Sequence, residues 1–121
     1  MKPIMLVVDD EPIVRMDLAG MAEEAGFETV EAGSAADALA ILETRDDIRA
    51  VFTDIRMPGD MDGLALAHLV RNRWPPTVIV ICSGSTLPAA EELPSNVQFI
   101  SKPCNGPKVA NLLSSIVEQV G

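Results

Sequence analysis

Three carboxylates stand directly after short apolar runs: Asp9 and Asp10 follow Ile4–Val8, and Asp54 follows Val51–Thr53. Two other polar groups hold similar places, Ser83 after Val78–Cys82 and Lys102 just past Val97–Ile100. Three acidic groups at close range repel strongly unless a cation offsets them. A hard divalent ion with oxygen ligands does this, and Mg²⁺ is the ion expected. Lys102 brings a mobile positive charge and Ser83 a hydroxyl donor, which leaves room for a tetrahedral dianion between metal and ammonium. Such a set suits phosphoryl transfer, where positioning and charge neutralisation carry most of the catalysis. A carboxylate can take the phosphoryl as an acyl phosphate, and Asp54, the central acid, is the expected acceptor. The single histidine, His68, falls on a helical stretch and is expected on the surface, so no residue is an evident base for activating water on a separate substrate.

For these residues to meet, the ends of the apolar runs must reach one rim. The runs Ile4–Val8, Val51–Thr53 and Val78–Cys82 lack strong alternation, as strands buried on both faces of a parallel sheet do. Phe27–Ala32 and Val97–Ile100 are more mixed with polar residues and suit the two edges. Between the runs lie helical patterns. The first opens at Pro12 and closes at Gly26, with Val14, Leu18, Met21, Ala22 and Ala25 inward. The second runs from Ser34 to about Arg45, with Ser34 and Asp37 at capping spacing and Ala35, Ala38, Leu39 and Leu42 inward. The third follows Asp62–Gly63 and ends near Trp74–Pro75–Pro76, where Trp74 is expected to pack the helix end. The last starts near Asn105, with Val109, Leu112, Leu113, Ile116 and Val120 at helical spacing. Between strands four and five, Pro88 and Pro94 leave only Ala89–Leu93, so a short or irregular fourth helix is expected there. The alternation predicts an α/β fold: a flavodoxin-like, doubly wound, five-stranded parallel sheet of order 2-1-3-4-5, with ligands at the carboxyl ends of its strands.

The 121 residues fit one compact domain, 1–121, without a repeat or linker. Nine Lys and Arg stand against 18 Asp and Glu, a net charge of −9, so binding to nucleic acid or to anionic membrane is disfavoured. Hydrophobic residues make up 48% of the chain, enough for a sizeable core, but no apolar run is long enough to span a bilayer. The amino-terminal residues lack a signal-peptide layout, and a cytoplasmic location is expected. Cys82 and Cys104 have no metal-ligand spacing and are expected to be free thiols in a reducing compartment.

Four motifs in this order resemble the receiver domain of bacterial two-component response regulators: Val7-Val8-Asp9-Asp10-Glu11, Phe52-Thr53-Asp54-Ile55-Arg56-Met57-Pro58-Gly59, Ile81-Cys82-Ser83-Gly84 and Ser101-Lys102-Pro103. The resemblance is to the stand-alone, single-domain type. It implies Asp54 as phosphoacceptor, Asp10 as a direct Mg²⁺ ligand, Asp9 as a ligand directly or through water, and the Arg56 backbone carbonyl completing the protein ligands. It implies that the Ser83 hydroxyl turns toward the bound phosphoryl, that Lys102 pairs with its oxygens, and that Phe99 is the switch aromatic. The phosphoryl would come from a sensor histidine kinase or a histidine phosphotransfer protein. The signal would leave through contacts with a downstream protein, the chain being a monomer or weak dimer. It would not be an enzyme beyond its own phosphoryl transfer and dephosphorylation. Ile13 and Met16, on the outer stripe of the first helix, are expected to help dock the donor.

The chain departs from that family's pattern in three places. The loop Met57–Gly63 is one residue longer than the common form and adds Asp60; the curtailed fourth helix alters the usual output and dimer surface; and Cys104 stands where an aromatic is frequent. Two other readings compete: a phosphate sink or non-switching binding module, and an aspartyl-phosphate phosphatase on a similar fold. The phosphatase reading lacks the Asp-x-Asp-x-Thr run after the first strand and has Arg56, not an acid, two residues past Asp54.

Overall fold

The computed structural model describes residues 2–55, 61–83, 97–101, 104 and 106–120, with the backbone alone for Ser83 and Ser101. Among these residues the order is β1 (Ile4–Val8), α1 (Pro12–Ala25), β2 (Glu28–Ala32), α2 (Ala35–Thr44), β3 (Ile48–Asp54), α3 (Gly63–Arg73), β4 (Val78–Ser83), β5 (Val97–Ser101) and α4 (Pro107–Val120). The strands form one parallel sheet of order β2-β1-β3-β4-β5, the expected doubly wound arrangement. The unbroken apolar runs are the central strands because each face must meet a helix layer, whereas Glu28 and Glu31 leave β2 half exposed at its edge. The segment 84–96, on which the short fourth helix was expected, lies outside the described residues.

Side chains alternate across the sheet and feed two cores. On one side Met5, Val7, Phe52 and Val80 pack with Leu18 and Ala22 of α1 and Val109, Leu113 and Ile116 of α4. On the other, Leu6, Val8, Val51, Ile79 and Ile81 pack with Ala35, Ala38 and Leu42 of α2 and Leu66, Ala67 and Val70 of α3. Each large aliphatic side chain buried this way contributes about 1.5–3 kcal/mol, so apolar packing holds the sheet from both sides.

The helix ends follow local chemistry. Pro12 enters α1 in its first turn, and Gly26 ends it at φ 118°, a conformation that costs a glycine little. The Ser34 hydroxyl accepts from the Asp37 N–H at 3.1 Å, and the Asp62 carboxylate accepts from the Ala65 N–H at 2.8 Å. Arg71 and Arg73 stand in the last turn of α3, where cations suit the helix dipole. Trp74 packs on the adjoining core, as expected, with the Arg73 guanidinium 4.6 Å from its ring centre.

Three details differ from the sequence reading. Strand β3 starts at Ile48 rather than Val51, because exposed Arg49 interrupts the apolar run without interrupting the strand. Val14 is 38% exposed, not inward, since the first turn of α1 stands at the rim beyond the end of β1; Leu18, Ala19 and Ala22 take the inner face. Cys82 and Cys104 are joined as a disulfide, with Cα atoms 6.4 Å apart, and are not free thiols. The spacing of 22 residues gave no hint of this; the fold brings the end of β4 against the residues leading into α4.

Among the described residues no helix is long and apolar enough to cross a membrane.

Candidate functional site

The strand registers bring the acidic residues into one row. Val8 pairs with Thr53, and the Asp9 N–H continues the ladder by donating to the Ala32 carbonyl at 3.1 Å. Asp54 is therefore level with Asp9, and Cys82 is the register partner of Asp54 on the other side. Phe52 and Val7 face α1 and α4; two residues on, Asp54 and Asp9 share that side. Asp9 is 2% and Asp54 6% exposed, while Asp10 lies open at the rim.

One carboxylate oxygen from each of Asp9, Asp10 and Asp54 lies within 4.8 Å of the other two. Oxygens that share one Mg²⁺ at about 2.1 Å are about 3–4 Å apart in an octahedron, so three carboxylates gathered at this range could share such an ion. Two of these carboxylates are nearly buried, and the low dielectric around them strengthens their mutual repulsion. A divalent cation at this point offsets it, and the all-oxygen donor set suits a hard ion.

The surrounding backbone fixes the row in place. The Glu11 N–H donates to Asp9 Oδ1 at 2.9 Å. Arg15, in the first turn of α1, donates from Nη1 to the Asp9 carbonyl at 2.9 Å and from Nε to Glu31 Oε1 at 3.0 Å, tying α1 to the ends of β1 and β2. The buried Thr53 hydroxyl donates to the Asp54 carbonyl at 2.9 Å. Beyond it the Ile55 N–H donates to the Cys82 carbonyl at 3.3 Å, and the Gly63 N–H to the Ile55 carbonyl at 2.7 Å. A Cβ on Gly63 would overlap the Asp54 carbonyl, so only glycine lets α3 start this close to the acceptor strand. Asp54 is thus set between β1 and β4, with the start of α3 against its backbone.

The roles of Arg15, Thr53 and Gly63 at this site escaped the sequence reading. Asp62–Gly63 was legible as a helix start, but the close approach of that start to Asp54 depends on how α3 returns over the sheet. Arg15 sits four residues after Glu11, a spacing compatible with a surface helix pair; its actual partners are Asp9, just past β1, and Glu31 on β2.

The other expected site residues divide into three groups. Phe99, opposite Ile81 on β5, is partly buried against the core facing α2 and α3. Ser83 ends β4 in register with Ser101, so its backbone is at the same rim. Arg56, Lys102 and Asp60 lie outside the described residues. Beside the rim, Ile13 is 83% and Met16 64% exposed. His68 is exposed on α3, as expected.

At the opposite end of the sheet the Arg45 guanidinium grips both Asp47 oxygens at 2.9 Å, holding that carboxyl below its usual range. This pair shapes the turn into β3 and is remote from the acidic row.

The profile of a known family, described as the response regulator receiver domain, matches residues 5–114. A putative NtrX-like response regulator of Rickettsia bellii is 31% identical over 118 residues, which are 94% of this chain and 24% of that protein. The chain thus spans about a quarter of that relative, in which the matched region is one part of a longer protein. Among solved structures, the receiver domain of NtrX from Brucella abortus superposes with a TM-score of 0.77 at 34% identity, covering 96% of both chains. A CheY-like receiver domain from Methylobacillus flagellatus superposes with a TM-score of 0.82 at 27% identity, covering 100% of both.

Proposed function

The chain belongs to the response regulator receiver domain family, and from that premise we propose that it accepts a phosphoryl group on Asp54 from the phosphohistidine of a sensor kinase or phosphotransfer protein. The observation that carries this reading is the position of Asp54: a nearly buried carboxylate at the centre of an acidic row, at the rim where a doubly wound sheet binds its ligands.

In the transfer, an Asp54 carboxylate oxygen bonds to phosphorus as the bond from phosphorus to the donor imidazole nitrogen breaks, and the imidazole leaves neutral with its second nitrogen protonated. Asp9, Asp10, Asp54 and the Arg56 carbonyl would hold Mg²⁺. When bound, the ion neutralises charge on the transferred oxygens. The Glu11 N–H fixes the Asp9 carboxylate by donating to its Oδ1. The Asp54 backbone is held by Thr53, while β4 and α3 fix Ile55 next to it, so the nucleophile is in place before the donor arrives. Lys102 would pair with the phosphoryl oxygens and Ser83 would donate its hydroxyl. Phe99 would repack on the β5 edge, shifting the population toward a form that binds a downstream protein. Water attack on phosphorus later returns the carboxylate and inorganic phosphate. On this reading the chain catalyses only its own phosphorylation and dephosphorylation, and works in the cytoplasm beside its donor.

Intact mass after incubation with acetyl phosphate and Mg²⁺ tests the proposal. One alkali-labile phosphoryl adduct is expected in the unaltered chain and none in Asp54→Ala. An unmodified mass with every donor tried points instead to a non-switching binding module, and an adduct that persists in Asp54→Ala moves the acceptor elsewhere.

A further inference from the structure

The two cysteines of the chain are absorbed by none of this, yet their bond lies against the acceptor. Cys82 is the register partner of Asp54, and its carbonyl accepts the N–H of Ile55 at 3.3 Å. Val80 and Cys82 face the α1/α4 side with Phe52, so the Cys82 side chain and that of Asp54 stand side by side on adjacent strands. Cys82 is 3% exposed; Cys104 is partly buried against the same core and reachable from solvent. Their Cα separation of 6.4 Å lies within the range a disulfide spans without backbone movement. In sequence, Cys82 directly precedes Ser83, and Cys104 follows Lys102 by two residues. The bond therefore ties together the two segments whose polar residues would close on the phosphoryl.

A structural staple is the ordinary role of a disulfide in a domain too small to build its own core. This domain has no such need: both faces of its sheet are covered by helices, and the buried residues around Cys82 pack from β1, β3, α1 and α4. A bond that the fold does not require, with one buried and one accessible sulfur beside the acceptor, suits reversible chemistry.

We propose that Cys82 and Cys104 form a reversible dithiol–disulfide site, exchanging with a small disulfide of the glutathione type, that controls phosphoryl acceptance at Asp54. The inference rests on the phosphoacceptor reading above. In the closing step the Cys104 thiolate attacks one sulfur of the small disulfide, forming a mixed disulfide and releasing one thiolate. The Cys82 sulfur, losing its proton, then attacks Cys104 Sγ and releases the second thiolate. Two electrons and two protons pass to the small disulfide, which leaves as two thiols. Excess reduced thiol reverses both steps. The closed bond restrains the end of β4 against the residues leading into α4 and so opposes the rearrangement around the phosphoryl; the dithiol form leaves these segments independent.

The test compares the full chain equilibrated with dithiothreitol or with glutathione disulfide. Alkylation by iodoacetamide and intact mass count the thiols, and the phosphorylation rate with acetyl phosphate and Mg²⁺ is followed on the same samples. Two thiols and fast labelling are expected in the reduced chain, and no thiol with roughly tenfold slower labelling in the oxidised chain. Cys104→Ser, with Cys104→Ala as a second variant, is expected to keep the reduced rate under both conditions. Equal rates in the two states, faster labelling when oxidised, or two thiols remaining under glutathione disulfide would each overturn the proposal. No adduct in either state, with the bond forming normally, would instead overturn the acceptor reading and remove this control with it.

Discussion

At the scale of single residues, the cost of gathering like charges dominates. Asp9 and Asp54 are nearly buried and Asp10 stands at their edge, each offering an oxygen within 4.8 Å of the others. Like charges at this range repel, and an ion that bound the folded row and not the unfolded chain would add its binding free energy to stability. Replacing Asp10 by Asn keeps the shape and removes one charge. Asp10→Asn is therefore expected to raise the metal-free melting temperature by a few degrees, about 1 kcal/mol, and to lose most of the rise that added Mg²⁺ gives the unaltered chain. Calorimetry with EDTA and with Mg²⁺ reads both. If Mg²⁺ stabilised the unaltered chain and Asp10→Asn equally, the ion would not be bound through Asp10.

Among the elements, α1 has a divided task. Its inner face, Leu18, Ala19 and Ala22, holds it to the sheet, and Arg15 ties its first turn to the ends of β1 and β2. Its outer face presents Ile13 and Met16, with Val14 partly open between them. These apolar side chains sit beside the acidic rim, where on the proposed function a protein donor would approach and where acetyl phosphate would need no docking surface. In Ile13→Asp combined with Met16→Asp, labelling by acetyl phosphate is expected to stay within twofold of the unaltered chain. Transfer from a phosphorylated donor protein is expected to fall at least tenfold. An equal fall with both donors would place the effect on the site rather than on docking. The inward position predicted for Val14 shows where helical periodicity misleads: the pattern gives the spacing of a face but not how far the helix overhangs the sheet.

For the molecule as a whole, two helix layers and a parallel sheet supply the core, and the Cys82–Cys104 bond closes a loop across a sequence separation of 22 residues. By the chain-entropy account a closed loop of this size adds about 3 kcal/mol. Reduction is expected to lower the urea midpoint by a corresponding amount while leaving the fold intact, since the apolar contacts remain. A reduced chain with no cooperative transition would mean that the bond is a structural necessity, and an unchanged midpoint would mean that the loop is not closed in solution.

The sequence alone determined the sheet order, the helices bounded by Pro12, Ser34, Asp62 and Gly26, and the convergence of Asp9, Asp10 and Asp54. Each of these follows from local rules: an apolar run without alternation must be buried twice, a capping side chain starts a helix, and parallel strands end at one rim. Tertiary structure alone decided that Arg15 holds the Asp9 carbonyl, that Gly63 must lack a side chain beneath Asp54, and that Cys82 meets Cys104. Those are contacts between separate elements, set by how α1, α3 and α4 return over the sheet, and neither spacing nor composition encodes such a distance.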